Sequence, residues 1–187
     1  GVEKKVTFGW YLLGSVLILF GTFLGQIPFG IAAVMATLKK GKGMPSDSVA
    51  LMQALDLNLS LFLMLLSFAV AFGVFVLVIK YLHKQTITAV TTSRPTIDWK
   101  RILFSFSLWG MITVLTTVIS FYSSDSTMEW NFNPSQFALL AVIGILMIPI
   151  QTSVEEYIFR GYLMQGFAQL YPRRWFPLLW TSLIFGL

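Results

Sequence analysis

The stretch SQFALLAVIGILMIPIQTSVEEYIFRGYL, residues 135–163, decides the fold of this chain. Its first 20 residues carry no charged side chain. A helix of about 20 apolar residues can cross the roughly 30 Å hydrocarbon core of a bilayer. Two glutamates and an arginine then interrupt the apolar run. The stretch therefore predicts a transmembrane helix that runs into a charged turn.

Similar apolar stretches precede this one and another follows it. They cover residues 10–38, 57–79 and 102–122, and a further run starts near residue 175. Backbone groups that face lipid must find hydrogen-bond partners within their own segment, and none of these stretches alternates like a barrel strand. We therefore predict an all-α, polytopic transmembrane helical bundle with four full spans plus the start of a fifth.

The domain organisation follows from these spans. Residues 1–187 form a single membrane domain, in which residues 135–187 carry the charged motif. The last apolar run contains only about a dozen residues, fewer than a span needs. We expect the chain to be the N-terminal part of a larger bundle whose C-terminal helices are missing here.

Composition supports a membrane protein and excludes several function classes. Hydrophobic residues make up 56% of the chain and charged residues only 11%, against about 25% charged in soluble domains. The absence of cysteine excludes disulfides and thiolate chemistry within the chain. Although the net charge is +5, the basic residues flank the apolar runs, which is a topology signal. We expect membrane lipids and a peptide or protein substrate as partners, and no nucleic acid.

The basic residues also predict an orientation. With the N-terminus inside, nine basic residues lie on the cytoplasmic side and three on the outer side. The nine are Lys4, Lys5, Lys80, Lys84, Arg94, Lys100, Arg101, Arg173 and Arg174, and the three are Lys39, Lys40 and Lys42. Because cytoplasmic loops carry the excess of lysine and arginine, we predict an integral membrane protein with a cytoplasmic N-terminus.

The charged stretch has two carboxylates in different situations. On a helix, Glu156 and Arg160 are four residues apart with the acid first, which favours an ion pair. Glu155 is turned about 100° away and lies five residues from the arginine, so it cannot share that pair equally. A carboxylate without a counter-charge in a low-dielectric site suits a general base. A simple packing clasp would explain the ion pair, whereas the second glutamate indicates a functional site.

These residues carry a resemblance to a known family. The segment EEYIFR, residues 155–160, matches the EExxxR motif of the CPBP family, the CAAX proteases and bacteriocin-processing proteins also called Abi proteins. Gly161, Tyr162 and Leu163 continue the resemblance. Members of this family are helical-bundle intramembrane endopeptidases with a second motif, FxxxH, on the next helix. Phe185 is placed to start that motif, whose histidine would fall at position 189.

The resemblance implies a bacterial cell membrane and a set of roles. Glu155 would activate the attacking water together with the second-motif histidine, while Glu156 and Arg160 would position the helix and tune the charge of Glu155. Glu155, Glu156 and Arg160 are thus the candidate catalytic residues. Two alternatives stand for the cofactor: zinc or another divalent metal with Glu155 as one ligand, or water activation by glutamate and histidine without a tightly bound metal.

Other residues give weaker predictions. His83, the only histidine, lies between Lys80 and Lys84, and we predict a solvated position in a loop at the membrane surface. Asp98 is placed to cap the third span. Small residues at four-residue spacing predict close helix packing. These pairs are Gly21 with Gly25, Ala32 with Ala36, and Ala69 with Gly73.

Three functions fit the sequence. The first is an intramembrane endopeptidase that hydrolyses a peptide bond of a membrane-associated peptide, either lipidated or carrying a leader. The second is a non-catalytic membrane scaffold or bacteriocin-immunity protein with the same bundle. The third, a conduit for ions or protons, is less well supported because the first three spans offer few polar residues.

Overall fold

The computed structural model describes residues 7–39, 55–92, 94–123, 130, 132–171, 173 and 175–186. Within these ranges every regular element is a helix. In chain order the α-helices are α1 (Phe8–Lys39), α2 (Leu57–Leu77), α3 (Ile87–Thr91), α4 (Trp99–Phe121), α5 (Pro134–Glu156), α6 (Met164–Leu170) and α7 (Trp175–Gly186). Two π-helical turns extend α2 and α5, and we call them π1 (Val78–Leu82) and π2 (Tyr157–Leu163).

Four helices are long and apolar enough to cross a membrane, which confirms the predicted fold class. They are Phe8–Lys39, Leu57–Leu82, Trp99–Phe121 and Pro134–Leu170. The fifth predicted helix is α7, with 12 residues. The fourth span does not stop at the glutamates, because π2 joins α5 and α6 into one helix of 37 residues. At 1.5 Å per residue that helix is about 55 Å long, more than the thickness of a bilayer.

Polar side chains fix where three of these helices begin. The Asp56 carboxylate accepts the backbone N–H groups of Asn58 and Leu59 at the start of α2, and the Asn133 side-chain oxygen accepts the N–H of Gln136 at the start of α5. Asp98 accepts the N–H of Arg101, which confirms the predicted cap of α4. A cap of this kind contributes about 1 kcal/mol because the first N–H groups of a helix have no partner within it.

Small residues let the first two spans approach closely. A Cβ built on Gly21 would lie 2.6 Å from the Val74 side chain, and one on Gly25 would lie 2.6 Å from the Ser67 backbone. The prediction of close packing is confirmed for this pair. At Gly73 a Cβ would meet nothing within 4 Å, so that glycine is not a packing residue among the described residues. α2 packs in turn along α5, whereas α4 has no buried residue.

The best-buried cluster lies where α1, the end of α2, π1 and π2 meet. Its members are Tyr11, Ile18, Phe75, Val78, Ile79 and Tyr162. Two glycines permit this meeting, because a Cβ on Gly14 would overlap the Tyr162 hydroxyl and one on Gly166 would lie 2.9 Å from the Tyr11 side chain. The cluster thus fixes the motif-bearing helix against the first two spans.

The cytoplasmic N-terminus stays a prediction. Several lysines on which it rests, including Lys4, Lys5, Lys40 and Lys42, lie outside the described residues, as does Arg174. The remaining basic residues of the argument lie at the ends of the described helices or in the segments between them.

Candidate active site

The motif residues lie where the fourth span changes from α-helix to π-helix. Glu155 and Glu156 are the last two residues of α5, and Arg160 lies inside π2. The N–H of Tyr157 donates to the carbonyls of Ser153 and Val154, so the helix continues without a break. π-helical turns are rare and occur frequently at functional sites. The position of π2 directly after the glutamates therefore makes this turn a candidate functional site.

Glu156 and Arg160 form the ion pair that their spacing predicts. Arg160 Nη1 lies 3.0 Å from Glu156 Oε2, and the two side chains are 74% and 50% exposed. An exposed pair contributes no more than about 1 kcal/mol to stability. The main consequence of the pair is that it holds two opposite charges at the surface of two neighbouring clefts.

Glu155 has a different environment from its neighbour. Its side chain is half-buried, and Gln151 Nε2 donates to Glu155 Oε1 at 3.4 Å. Among the described residues no salt bridge includes Glu155. One glutamate is therefore neutralised by an arginine, and the other keeps a carboxylate with only an amide donor beside it.

Two clefts meet at the ion pair. The larger, of about 550 Å³, lies between α3, the start of α4 and the end of α5, and its volume is in the range of ligand-binding pockets. Its polar lining consists of Thr91, Thr152, Ser153, Glu156, Tyr157 and Arg160. The smaller, of about 110 Å³, lies against α7. Glu156 and Arg160 line both clefts, so the structure places the paired glutamate at the point where they adjoin.

Phe185 lies beside the motif turn. Its ring contacts that of Phe159 edge to face, with centroids 5.1 Å apart, and it lines the smaller cleft together with Thr181 and Ser182. The structure thus brings the proposed start of the second motif next to the first. Phe185 and the glutamates lie on different helices, and the proximity of Phe185 to the first motif is a tertiary contact that the sequence spacing alone could not establish.

The prediction for His83 was wrong. Its side chain is only 6% exposed, and its Nε2 lies 2.7 Å from the Tyr162 hydroxyl. The Tyr11 ring packs on the imidazole with centroids 4.5 Å apart. Burial lowers the pKa of His83 below its ordinary value of 6.5, because an apolar environment disfavours the imidazolium. The lysines on either side of His83 suggested a solvent-exposed imidazole. In the structure the chain turns at Lys84, which adopts a left-handed conformation (φ 55°) directly after the buried imidazole.

Sequence reasoning also missed the structural role of the two tyrosines of the motif. Tyr157 binds Thr91, since their hydroxyl oxygens are 2.7 Å apart, and Tyr162 is fully buried against α1 and π1. The available signal was their spacing. Residues five positions apart do not share a face of an α-helix, so the spacing indicates that the two tyrosines contact different elements. Both lie in the stretch that carries the family resemblance.

A metal centre does not fit the donor set of the described residues. No three histidine, aspartate or glutamate side chains come together there in a way that could hold an ion. Catalytic zinc usually has three protein ligands. His83 uses its Nε2 to bind Tyr162 and packs against the Tyr11 ring, and neither of these contacts involves a glutamate. Metal participation therefore stays a prediction from the resemblance.

Comparison with known proteins agrees with the motif. Residues 134–187 match the family model described as type II CAAX prenyl endopeptidase Rce1-like, which confirms the resemblance. The chain is also 31% identical over 183 residues to an uncharacterized Bacillus subtilis (strain 168) protein, YyaK. That alignment covers 97% of this chain and 56% of YyaK, so the chain spans little more than half the length of this relative. No solved structure matches the chain.

Proposed function

We propose, from the Rce1-like segment at residues 134–187, that the complete protein is an intramembrane endopeptidase. Its substrate would be a membrane-associated peptide that is lipidated or carries a leader. The single observation that carries this proposal is a difference between two adjacent carboxylates: Glu156 is paired with Arg160, whereas Glu155 is half-buried and has no ion-pair partner among the described residues.

In the proposed reaction, the Glu155 carboxylate accepts a proton from a water molecule. The water oxygen forms a bond to the carbonyl carbon of the scissile peptide. The π electrons of that carbonyl group move onto the carbonyl oxygen. When the C–N bond breaks, the protonated Glu155 returns its proton to the leaving amine. The products are a new carboxyl terminus and a new amino terminus, and the carboxylate is regenerated.

The ion pair has a supporting part in this proposal. Arg160 holds the negative charge of Glu156 in place, so the carboxylate of Glu155 is the one free to bind the proton of water. The two clefts that meet at Glu156 and Arg160 would bind the parts of the substrate that flank the scissile bond, since the lining of neither cleft includes Glu155. Their hydroxyl-bearing linings offer donors and acceptors for a peptide backbone.

The test uses the full-length protein in liposomes with a fluorogenic lipidated peptide. Glu155→Ala and Glu155→Gln should each lower kcat/KM by a factor of at least about 100, which is the contribution of a positioned general base. The matched control is Asp56→Asn, which also removes a carboxylate but keeps the cap of α2, because asparagine caps as well as aspartate. Asp56→Asn should leave the rate unchanged.

Two outcomes would refute the proposal. Cleavage by Glu155→Ala at more than about one-tenth of the wild-type rate would show that Glu155 is not the base. An absence of cleavage by the wild type, together with unchanged binding of a partner protein by Glu155→Ala, would favour the non-catalytic scaffold or immunity protein.

A further inference from the structure

Two tyrosines of π2 pack against one buried ring. Phe75 of α2 has no exposed surface, and its centroid lies 5.4 Å from that of Tyr157 and 6.3 Å from that of Tyr162. The first contact is stacked and the second is edge to face. Two residues five apart in sequence thus lie on the same side of their helix.

An α-helix would not allow this arrangement. Its residues are about 100° apart, so two side chains separated by five positions point about 140° away from each other. In a π-helical turn the hydrogen bonds run from residue i to residue i+5, which brings Tyr157 and Tyr162 to nearly the same face. The wide turn is therefore the geometry that lets Phe75 contact both rings.

π2 also allows one long helix to pack on two different neighbours. Before the turn, α5 packs along α2. Near the end of the turn Tyr162 lies against Gly14, and beyond it Gly166 lies against Tyr11, so this part of the helix packs on α1. Without the wide turn, keeping the second face in contact with α1 would rotate the segment that carries the glutamates.

The hydroxyl groups of both tyrosines are anchored to other elements. Tyr157 Oη lies 2.7 Å from Thr91 Oγ1 on α3. Tyr162 Oη lies 2.7 Å from His83 Nε2 and 3.3 Å from the carbonyl oxygen of Trp10 on α1. These bonds join the motif turn to three separate parts of the fold.

The direction of the buried hydrogen bonds follows from the groups present. The Tyr162 hydroxyl has one proton, and in the arrangement in which it donates that proton to the Trp10 carbonyl it accepts from His83 Nε2–H. His83 Nδ1 then carries the lone pair of a neutral imidazole. It is buried and has no hydrogen-bond partner among the described residues. An added proton on Nδ1 would have no acceptor there, so this arrangement requires the neutral ring.

We propose that Tyr162 and His83 are positioning residues for the proposed peptide hydrolysis. Their hydrogen bond holds π2 in its wide register, so that Glu156 and Arg160 face the clefts and Glu155 keeps its half-buried position. Neither residue touches the reacting atoms in this scheme. The inference rests on the proposed function, and it assigns the chain's single histidine a role outside the catalytic pair that the resemblance implies.

The experiment measures kcat and KM for the full-length protein in liposomes with the same fluorogenic peptide. Tyr162→Phe and His83→Leu each remove the bond, and we expect kcat to fall about tenfold with KM within about twofold. His83→Gln keeps an N–H donor near the position of Nε2 and should restore kcat to within about threefold of the wild type.

A matched control separates positioning from loss of stability. Ile18 is 3% exposed and belongs to the same buried cluster, but its side chain makes no hydrogen bond. Ile18→Val should lower the melting temperature, as buried methyl deletions do, while kcat stays unchanged. A fall in kcat for Ile18→Val as large as that for Tyr162→Phe would overturn the inference, because a purely structural role would then explain both.

The outcomes distinguish this inference from the proposed function. If Glu155→Ala is inactive but Tyr162→Phe keeps kcat within about twofold of the wild type, only the positioning role fails. If Glu155→Ala is active, the proposed function fails and the positioning role fails with it. Should Tyr162→Phe not fold, His83→Leu removes the same bond from its other partner: a roughly tenfold fall in kcat with KM within about twofold supports the inference, and an unchanged kcat overturns it.

Discussion

Replacement of Gly14 by alanine tests the packing of the motif helix on the first span. The new methyl group would overlap the Tyr162 hydroxyl and would lie 2.8 Å from Val78 Cγ1. Carbon atoms in contact prefer separations of about 3.5–4.0 Å. The Tyr162 ring is fully buried, and its hydroxyl is bonded to His83 and Trp10, so it cannot move aside without breaking those bonds.

The expected effect is a net loss of about 3 kcal/mol. Overpacking of a filled core costs about 1–3 kcal/mol. Loss of the buried bond, which leaves His83 without its partner, costs about 1–3 kcal/mol more. Replacement of a helical glycine by alanine gives back up to about 1 kcal/mol. For a chain of this length the net loss corresponds to a melting temperature lower by about 6–12 °C.

The measurement is thermal unfolding in detergent, followed by near-ultraviolet circular dichroism. Gly30 and Gly73 provide matched controls, because a Cβ at either position would meet nothing within 4 Å. Gly30→Ala and Gly73→Ala should leave the melting temperature unchanged or raise it slightly. If Gly14→Ala melts at the same temperature as these two variants, the contact between Gly14 and Tyr162 is not what holds the helices together.

Three further predictions concern pH, the ion pair and a strained turn. Because burial lowers the pKa of His83, the unfolded chain binds a proton first as pH falls below 6.5, so stability should decline there. Denaturant titrations at several pH values should show a smaller decline in His83→Gln, and an equal decline would contradict the assignment. Arg160→Gln should change stability by less than about 1 kcal/mol, since the pair is exposed, yet lower kcat/KM. A melting temperature reduced as much as in Gly14→Ala would argue against this. Lys84→Gly should raise stability by about 0.5–1 kcal/mol, because glycine tolerates the left-handed conformation. Gln85→Gly, which has no such conformation to relieve, serves as its comparison in thermal unfolding.

The sequence by itself determined the local structure of this protein. Runs of about 20 apolar residues had to form helices, because lipid offers no hydrogen-bond partner to the backbone. Asp98 was recognisable as a cap, and Glu156 with Arg160 as an ion pair, because both interactions join residues three or four positions apart. The same helical geometry indicated that Glu155 does not share the ion pair of Arg160, and no salt bridge of the described residues includes Glu155.

Only the tertiary structure decided which faces of the helices meet. Lipid is as apolar as a protein core, so a transmembrane helix carries no hydrophobic periodicity that separates its inner face from its outer one. The burial of His83, its bond to Tyr162 79 residues away, and the contact of Phe159 with Phe185 all depend on that choice. The π-helical turn after the glutamates has the same origin: it exists because one helix must pack on α2 before the motif and on α1 after it.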